Sequence, residues 1–321
     1  MAAEAALVRV GRQQIEITRP EKVLFPEDGI TKGELIEYYA RIAPRILPHV
    51  CNRPLTLERY PNGIDSKRFF QKEVSSYFPE WIRRVTVKKV GGTVTHVVCN
   101  DTATLVYLAN QACITPHIVL SKVDKLDQPD QMVLDLDPQG EDFELVRLTA
   151  RDFKQLLDEL ELPAFLKTTG SRGLHIVVPL QRREPYDSVR DFARELATIV
   201  ISPAPKERTL EQLKAQRGTR VFIDTNRNGY AQLVAPAYAV RARKGAPVSV
   251  PIEWAELQQK TLRPNDVTIR TIFDRLKSVP DPWQAFWQSR ASLAKARLKL
   301  ASFGLTPSNI WTRKNPHHKR P

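Results

Sequence analysis

The sequence predicts an α+β fold in which mixed and antiparallel sheets are flanked by helices. Segments with the two-residue alternation of strands and segments with the helical spacing of apolar residues both occur. They do not alternate regularly along the chain, which disfavours a doubly wound parallel sheet. A strand, a glycine-containing turn and a second strand follow one another at residues 165–180, as expected of two strands joined by a short turn.

The first third of the chain is predicted to hold one long helix between strands. A strand at 14–18 leads into a loop that carries Lys22. The helix at about 31–47 begins at Thr31, a plausible N-cap with Glu34 as its capping-box partner. The later elements predicted in this part are strands in 54–60 and 85–99 and a mostly buried helix at 102–113.

The rest of the chain is predicted to carry most of the polar motifs at strand ends. Residues 132–134 form a strand that leads into Asp135-Leu136-Asp137-Pro138. The elements predicted after it are a helix around 153–160, strands at 165–168 and 174–180, a helix at about 186–201, a polar connector at 203–218, and strands at 220–224 and 231–243 joined by an Asn-Gly turn.

Composition and charge narrow the class of protein. The 321 residues are 42% hydrophobic, enough for a packed core, and the net charge of +13 makes nucleic acid the default partner. A basic but otherwise ordinary enzyme is the alternative. The isolated cysteines lack zinc or disulfide spacing, and we find neither a secretory signal nor a membrane-spanning run. We therefore expect a cytoplasmic, nucleoid-associated protein that makes no membrane contact.

Three acids are candidate metal ligands. Asp135 and Asp137 are two residues apart at a strand end, so their carboxylates share a face. Two such close carboxylates repel each other unless a cation lies between them, and Mg²⁺ and Mn²⁺ prefer oxygen ligands. Asp224 ends another apolar strand and could be the third ligand. The alternatives are two solvated acids in a turn and, for Asp224, a cap on the following turn.

The turn from Thr169 to His175 is a candidate anion site. Two glycines flank Ser171 and Arg172, so backbone N–H groups, a hydroxyl and a guanidinium could face a nucleotide triphosphate. His175 begins the next strand and could donate to a phosphate oxygen. The alternative is a plain hairpin whose glycines only permit positive φ.

Two further pairs fit nucleic acid or nucleotide binding. Arg241 and Arg243 would share a strand face, which suits a triphosphate or a phosphodiester backbone. Phe69 and Phe70 lie in a basic stretch and could stack on a base. A solvated strand face and core aromatics, respectively, are the alternatives.

The order of these motifs resembles a known family. DLDP, TTGSRGLHIVVPL and VFIDTNRNGYAQLVAPAYAVRAR resemble the three catalytic motifs of the archaeo-eukaryotic primase superfamily, and more closely the polymerase domain of bacterial DNA ligase D. NRPLTLERYPNGID, RFFQK and RKGAPVSVPIEWAEL extend the resemblance over most of the chain. It implies a primase-like catalytic core at residues 1–300. Residues 301–321 lie outside this motif pattern, and their positive charges and lack of residues to bury predict a basic C-terminal extension.

The resemblance also implies roles for particular residues. Asp135, Asp137 and Asp224 match metal-binding catalytic acids. Lys22 and Lys32 look like lysines that grip a 5′-phosphate. The nucleotide pocket and the DNA contacts are matched by further residues: Ser171, His175, His117, Arg227, Arg241 and Arg243 for the nucleotide, and Phe69, Phe70 and Lys72 for DNA, with Lys72 facing either ligand. Glu58 departs from the family, since relatives often carry a basic residue in its block.

The function implied is template-directed nucleotidyl transfer with two Mn²⁺ or Mg²⁺ ions in non-homologous end joining. The resemblance implies short gap filling at 5′-phosphorylated DNA ends, from NTPs or dNTPs with a preference for ribonucleotides. It leaves open whether the chain works with Ku and a separate ligase. The alternatives are a primase that starts chains without a primer, a non-catalytic DNA-end-binding module and a metal-dependent nuclease.

Overall fold

The computed structural model describes residues 6–140 and 143–302. Six helices lie within these ranges: α1 (Lys32–Val50), α2 (Thr102–Asn110), α3 (Glu144–Glu159), α4 (Tyr186–Ile201), α5 (Ile272–Ser278) and α6 (Leu293–Ser302). The predicted C-terminal extension begins inside α6, and its remainder, residues 303–321, lies outside the described residues.

The strands of the described chain form two larger sheets and three two-stranded ribbons. In chain order they are β1 (Ala6–Val10), β2 (Gln13–Ile17), β3 (Val23–Phe25), β4 (Ile30–Thr31), β5 (Pro54–Arg59), β6 (Phe69–Gln71), β7 (Arg84–Lys89), β8 (Gly92–Val98), β9 (Cys113–Ile118), β10 (Ser121–Lys122), β11 (Lys125–Pro129), β12 (Gln131–Asp137), β13 (Phe165–Thr168), β14 (Leu174–Pro179), β15 (Arg208–Thr209), β16 (Val221–Asp224) and β17 (Pro251–Ile252).

The central sheet has six strands in the order β15-β16-β12-β14-β13-β17. All of its pairings are antiparallel except that of β15 with β16. Helices α3 and α4 contact each other and β12, so they cover one face of this sheet. The amphipathic spacing of the two helices explains the packing, since their apolar residues, such as Phe153 of α3 and Phe192 of α4, are fully buried. By the alternation of the strands, Asp135, His175 and Lys167 share one face of this sheet.

The second sheet is built around β5, which pairs with β6, β8 and β9, while β7 pairs with β8. Helices α1 and α2 pack together, and α2 also contacts β9. A backbone bridge from Ile118 to Val234 and a hydrogen bond from the Thr115 hydroxyl to the Val240 carbonyl join this sheet to the chain that follows β16. The two sheets therefore meet along that segment.

The structure confirms the α+β class and most of the predicted elements. The Thr31 hydroxyl accepts from the Glu34 backbone N–H at 3.2 Å, and the Glu34 carboxylate accepts from Thr31 N–H at 2.9 Å, which completes the predicted capping box. The stretch 85–99 is a hairpin of two strands, and α2 ends a few residues before the predicted position. No helix within the described ranges is long and apolar enough to cross a membrane.

The predicted strand at 231–243 is wrong. Ala231 and Tyr238 have positive φ angles of 59° and 66°, which interrupt an extended run. The backbone of this segment bonds to different neighbours in turn: Val234 to Ile118, and Arg241 N–H to the Pro247 carbonyl at 2.8 Å. Arg241 and Arg243 therefore do not share the face of a regular strand.

Candidate active site

Four charged or titratable side chains form a row across adjacent strands of the central sheet. Asp135 on β12 lies opposite Asp224 on β16 and opposite His175 on β14. His175 in turn lies opposite Lys167 on β13. Directly opposite residues project from the same face of a sheet, so Asp135 and Asp224, which are 89 residues apart in the sequence, become neighbours. All four are buried.

The side chain of Arg227 contacts both acids of this row. Nε of Arg227 lies 3.1 Å from Oδ2 of Asp135 and 3.3 Å from Oδ2 of Asp224. Nε2 of His175 is 3.3 Å from Oδ1 of Asp135. Burial raises the pKa of Asp135, but His175 and Arg227 more than offset this and hold that pKa below its ordinary range.

Asp137 is the acid least compensated by its neighbours. It lies two residues beyond Asp135 on the same face of β12. Burial, and then the negative charge of Asp135, raise the pKa of Asp137 to about 7. Burial also raises the pKa of Asp224. An added positive charge close to Asp137 would therefore stabilise its ionised form.

The three acids of the site are chemically suited to bind a metal ion, although their side chains do not converge on one point. No three His, Cys, Asp or Glu side chains in the described ranges converge into a metal-ligand group. However, Oδ1 of Asp135 is buried, and within the same ranges its 3.3 Å contact with Nε2 of His175 lacks hydrogen-bond geometry. Carboxylate oxygens are the ligands that Mg²⁺ and Mn²⁺ prefer. Asp135, Asp137 and Asp224 are thus a suitable donor set, with Arg227 in contact with two of them.

The turn between β13 and β14 is held by Thr169. Its hydroxyl accepts from the backbone N–H groups of Ser171 at 3.2 Å and Gly173 at 3.1 Å. Gly170 has a φ of 64°. Gly173 is required for a different reason: a Cβ there would collide with the Leu136 carbonyl of β12. The simple-hairpin alternative therefore explains Gly170 but not Gly173, which lets the turn approach the acid-bearing strand.

Most predicted nucleotide residues line one cavity of about 240 Å³ beside this turn. Its polar lining consists of His117, Asp135, Asp137, Thr169, Ser171, Arg172, His175, Arg227, Arg241 and Arg243. The two last arginines reach it from an irregular segment instead of a strand, and Nη1 of Arg241 donates to the Thr169 carbonyl at 2.9 Å. The two arginines that the sequence singled out therefore line this cavity, but their local structure was predicted wrongly.

A second cavity of about 430 Å³ shares Arg241 and Arg243 with the first. Its wall includes Glu58, which is only 4% exposed and whose Oε2 lies 2.9 Å from Nε2 of His117. The Phe70 ring packs on the His117 ring with centroids 5.7 Å apart. Glu58 therefore connects the two cavities through a residue that lines the first.

The predicted DNA residues lie around these cavities. Phe69 and Phe70 are 43% and 45% exposed, so neither is a core aromatic. Nζ of Lys22 donates to Asn62 at 2.9 Å, and Nζ of Lys32 donates to Thr18 at 3.1 Å. These two lysines adjoin each other through a backbone hydrogen bond. They do not line the cavity that holds the acids.

Lys72 also lies apart from the acid-containing cavity. It lines a third, largely apolar cavity of about 470 Å³ with Tyr230, His96 and Leu233. Leu233 also lines the cavity that holds the acids. The two spaces therefore adjoin, and Lys72 faces the outer one.

Two residues of the site were missed from the sequence. Lys167 is fully buried, and its Nζ donates to the Ala235 carbonyl at 3.1 Å and to Ser249 Oγ at 2.7 Å. Burial, followed by the charge of Arg241, lowers the pKa of Lys167 to about 7. The second is the role of Thr169, which the sequence placed at the start of the candidate turn without assigning its hydroxyl a function. A lysine inside an apolar strand, two residues before a glycine turn, was the available signal for the first.

Comparison with known proteins gives a consistent result. A protein-family model described as "LigD, primase-polymerase domain" matches residues 31–283. The chain is 32% identical over 273 residues to the multifunctional non-homologous end joining protein LigD of Mycolicibacterium smegmatis, covering 84% of this chain and 35% of that protein. It is 29% identical over 278 residues to the bifunctional LigD of Bacillus subtilis, covering 86% of this chain and 44% of that protein.

A solved structure is similar over most of the chain. The polymerase domain from Mycobacterium tuberculosis ligase D in complex with DNA superimposes with a TM-score of 0.81 at 28% sequence identity. The match covers 87% of this chain and 100% of that one. Against the two full-length relatives, by contrast, the chain spans between about a third and under half of their length. The similarity is therefore to one domain of larger proteins.

Proposed function

The chain belongs to the LigD primase-polymerase domain family, a family of nucleotidyltransferases, and on this premise we propose that it fills short gaps at 5′-phosphorylated DNA ends during non-homologous end joining. The observation that carries the proposal is the row of Asp224, Asp135 and His175 beside a cavity lined by a serine turn and arginines. Acids on one side and cations on the other suit transfer from a triphosphate.

Asp135, Asp137 and Asp224 would hold the divalent metal on which family membership implies dependence. We propose two ions, Mn²⁺ or Mg²⁺. When bound, they would lower the pKa of the primer 3′-hydroxyl and neutralise charge on the triphosphate. The buried Oδ1 of Asp135, whose contact with Nε2 of His175 lacks hydrogen-bond geometry, and the raised pKa of Asp137 support this assignment, because an added positive charge stabilises both carboxylates in their ionised form.

The chain's own cations would bind and orient the triphosphate. Arg241 is fixed by the Thr169 carbonyl and presents its remaining donors to the cavity. Ser171 and Arg172 project from the turn that Thr169 holds in shape. Arg227, which now contacts Asp135 and Asp224, would be available to phosphate oxygens once another cation neutralised those acids.

The DNA would be held outside this cavity. The exposed rings of Phe69 and Phe70 offer stacking surfaces for bases, and each lies against an arginine: Arg59 is 5.2 Å from the first ring and Arg68 is 5.3 Å from the second. The M. tuberculosis relative is described in complex with DNA, which supports a DNA partner here. Lys22 and Lys32 would bind the 5′-phosphate.

A preference for ribonucleotides, and cooperation with Ku and a separate ligase, are further parts of this proposal. A protein that repairs chromosome breaks would work at the nucleoid. The relatives carry at least as much sequence again outside the matched region, so their remaining activities are not transferred to this chain.

Single-nucleotide extension on a gapped duplex tests the proposed reaction. Wild type should extend the primer on a 5′-phosphorylated gap in Mn²⁺ or Mg²⁺, and Asp135→Ala should not. Asp274→Ala, which removes an exposed acid on α5, should extend like wild type. If Asp135→Ala extends normally, the assigned site is wrong. DNA binding without incorporation in either metal would support an end-binding module, and products on template alone would support a primase.

A further inference from the structure

We propose that Lys167 is a positioning residue for nucleotide binding, because its buried ammonium fixes the segment that carries Arg241 and so brings that guanidinium to the cavity of the acids. The inference rests on the proposed polymerase function and gives a role to a buried group that the proposed reaction does not use. Lys167 does not line this cavity, whereas Ala235, Thr169 and Arg241 do, so it would act through them.

The first observation is that one ammonium group binds both ends of the arginine segment, residues 235–249. Nζ of Lys167 donates to the Ala235 carbonyl at 3.1 Å and to Oγ of Ser249 at 2.7 Å. Ala235 precedes Arg241 in the sequence, and Ser249 follows it. The Ala235 carbonyl accepts no other hydrogen bond from the described residues. Lys167 therefore ties the start of the arginine segment to β13.

The end of the arginine segment is connected to the turn between β13 and β14 through the same ammonium. Oγ of Ser249 accepts from Lys167 and donates to the Thr168 carbonyl at 2.9 Å. The next residue, Thr169, holds the turn with its hydroxyl, and its carbonyl accepts from Nη1 of Arg241 at 2.9 Å. A shift of Ser249 would therefore change where the guanidinium of Arg241 lies relative to the turn.

The turn and the arginine segment are packed closely, so small displacements matter. A Cβ added to Gly170 would lie 2.8 Å from Cγ of Arg241 and 2.9 Å from the backbone of Val248. The segment therefore has no room to move towards the turn, and loosening it would move Arg241 away. A displacement of about 1 Å in a group that positions a substrate is enough to reduce a reaction rate on the order of a hundred-fold.

The charge of Lys167 is a second reason to connect it with an anionic ligand. Both of its hydrogen-bond partners in the described chain are neutral, a backbone carbonyl and a hydroxyl. A buried charge without a charged partner is unfavourable. Lys167 lies opposite His175, which lines the cavity. A triphosphate bound in that cavity would stabilise the buried ammonium through its negative charge.

The test separates the placement of Arg241 from the stability of the fold. Lys167→Met keeps an apolar side chain of similar length and removes every donor, and Ser249→Ala removes one acceptor while the lysine remains. Single-nucleotide extension on one gapped DNA gives kcat and the nucleotide KM, anisotropy gives the DNA Kd, and thermal unfolding gives Tm. The nucleotide KM should rise about ten- to hundred-fold in Lys167→Met, with an unchanged DNA Kd. It should rise about three- to ten-fold in Ser249→Ala, the contribution of one hydrogen bond.

A double-mutant cycle shows whether Lys167 acts through Arg241. Arg241→Met alone should raise the nucleotide KM. Adding Lys167→Met to it should raise KM by less than about three-fold more, because the guanidinium that Lys167 positions is already absent. Lys295→Met, which removes an exposed lysine of α6, is the matched control and should change none of these values.

An unchanged nucleotide KM in both folded variants, or a cycle in which the two effects simply multiply, overturns the inference. A lower kcat with an unchanged KM also overturns it, because that result indicates fewer folded molecules. Should Lys167→Met fail to fold, the cycle of Ser249→Ala with Arg241→Met decides in the same way. If wild type incorporates no nucleotide, the proposed function fails, and calorimetric Kd values of the same variants for ATP with Mn²⁺ then decide the role of Lys167.

Discussion

The proposed 5′-phosphate site should lose affinity at a pH where an ordinary lysine would still be charged. Lys32 is only 5% exposed, and burial, followed by the charge of Arg19, lowers its pKa to about 8. A group with this pKa is roughly nine-tenths protonated at pH 7 and roughly one-tenth protonated at pH 9. The phosphate is a dianion throughout this range, because its second pKa is about 6. Raising the pH therefore removes charge from the protein alone.

The expected change follows from these fractions. If the protonated form of Lys32 binds the phosphate, the affinity for 5′-phosphorylated gaps should fall by up to about ten-fold between pH 7 and pH 9. Fluorescence anisotropy with labelled gapped DNA, with and without the phosphate and at constant ionic strength, measures this directly. The ratio of the two affinities should fall with pH in wild type.

Two controls make the interpretation specific. Lys32→Arg keeps its charge at pH 9, so its phosphate preference should stay level across the range. The unphosphorylated duplex should show little change with pH for either protein. A wild-type phosphate preference that is equally strong at pH 7 and pH 9 would refute the assignment of the phosphate to Lys32.

Three further predictions concern the glycine turn, a buried ion pair of the fold and an exposed aromatic ring. Gly173→Ala should abolish primer extension and lower Tm, whereas Gly140→Ala, where a Cβ meets open space, should leave Tm within a degree or two. Asp130→Asn should destabilise the fold by about 3–5 kcal/mol in urea unfolding, because it leaves the fully buried guanidinium of Arg53 without its carboxylate; a loss under 1 kcal/mol would contradict this. Phe70→Ala should weaken gapped-DNA binding by about 1–3 kcal/mol, and unchanged anisotropy would exclude stacking.

The helices could be predicted because their signals are local. The hydroxyl of Thr31 and the carboxylate of Glu34 are three residues apart, and their mutual bonds require only the first turn of α1. Helix α4 begins and ends where its apolar spacing predicts. In both cases a window of the sequence contains both partners of the interaction, so tertiary structure adds little to the assignment.

The segment after β16 could not be predicted in the same way. Its alternating residues resemble a strand, but its backbone partners are the edge of β9 and residues 247–249, which no local window contains. The same limit explains why Lys167 was missed. A lysine in a strand is usually solvated, and only the pairing of β13 with β14 and β12 brings it into one row with His175 and Asp135.

Because the row of Asp224, Asp135, His175 and Lys167 spans four strands, the proposed activity should depend on the length of the turn between β13 and β14. It should depend much less on the length of the connector between α4 and β16. One residue added to the turn between β13 and β14 would disturb the close approach of Gly173 to the Leu136 carbonyl of β12, which places the turn beside the acids. The connector between α4 and β16 carries exposed residues and no member of the row. Within this family, we therefore expect insertions and deletions in that connector and a constant length for the turn.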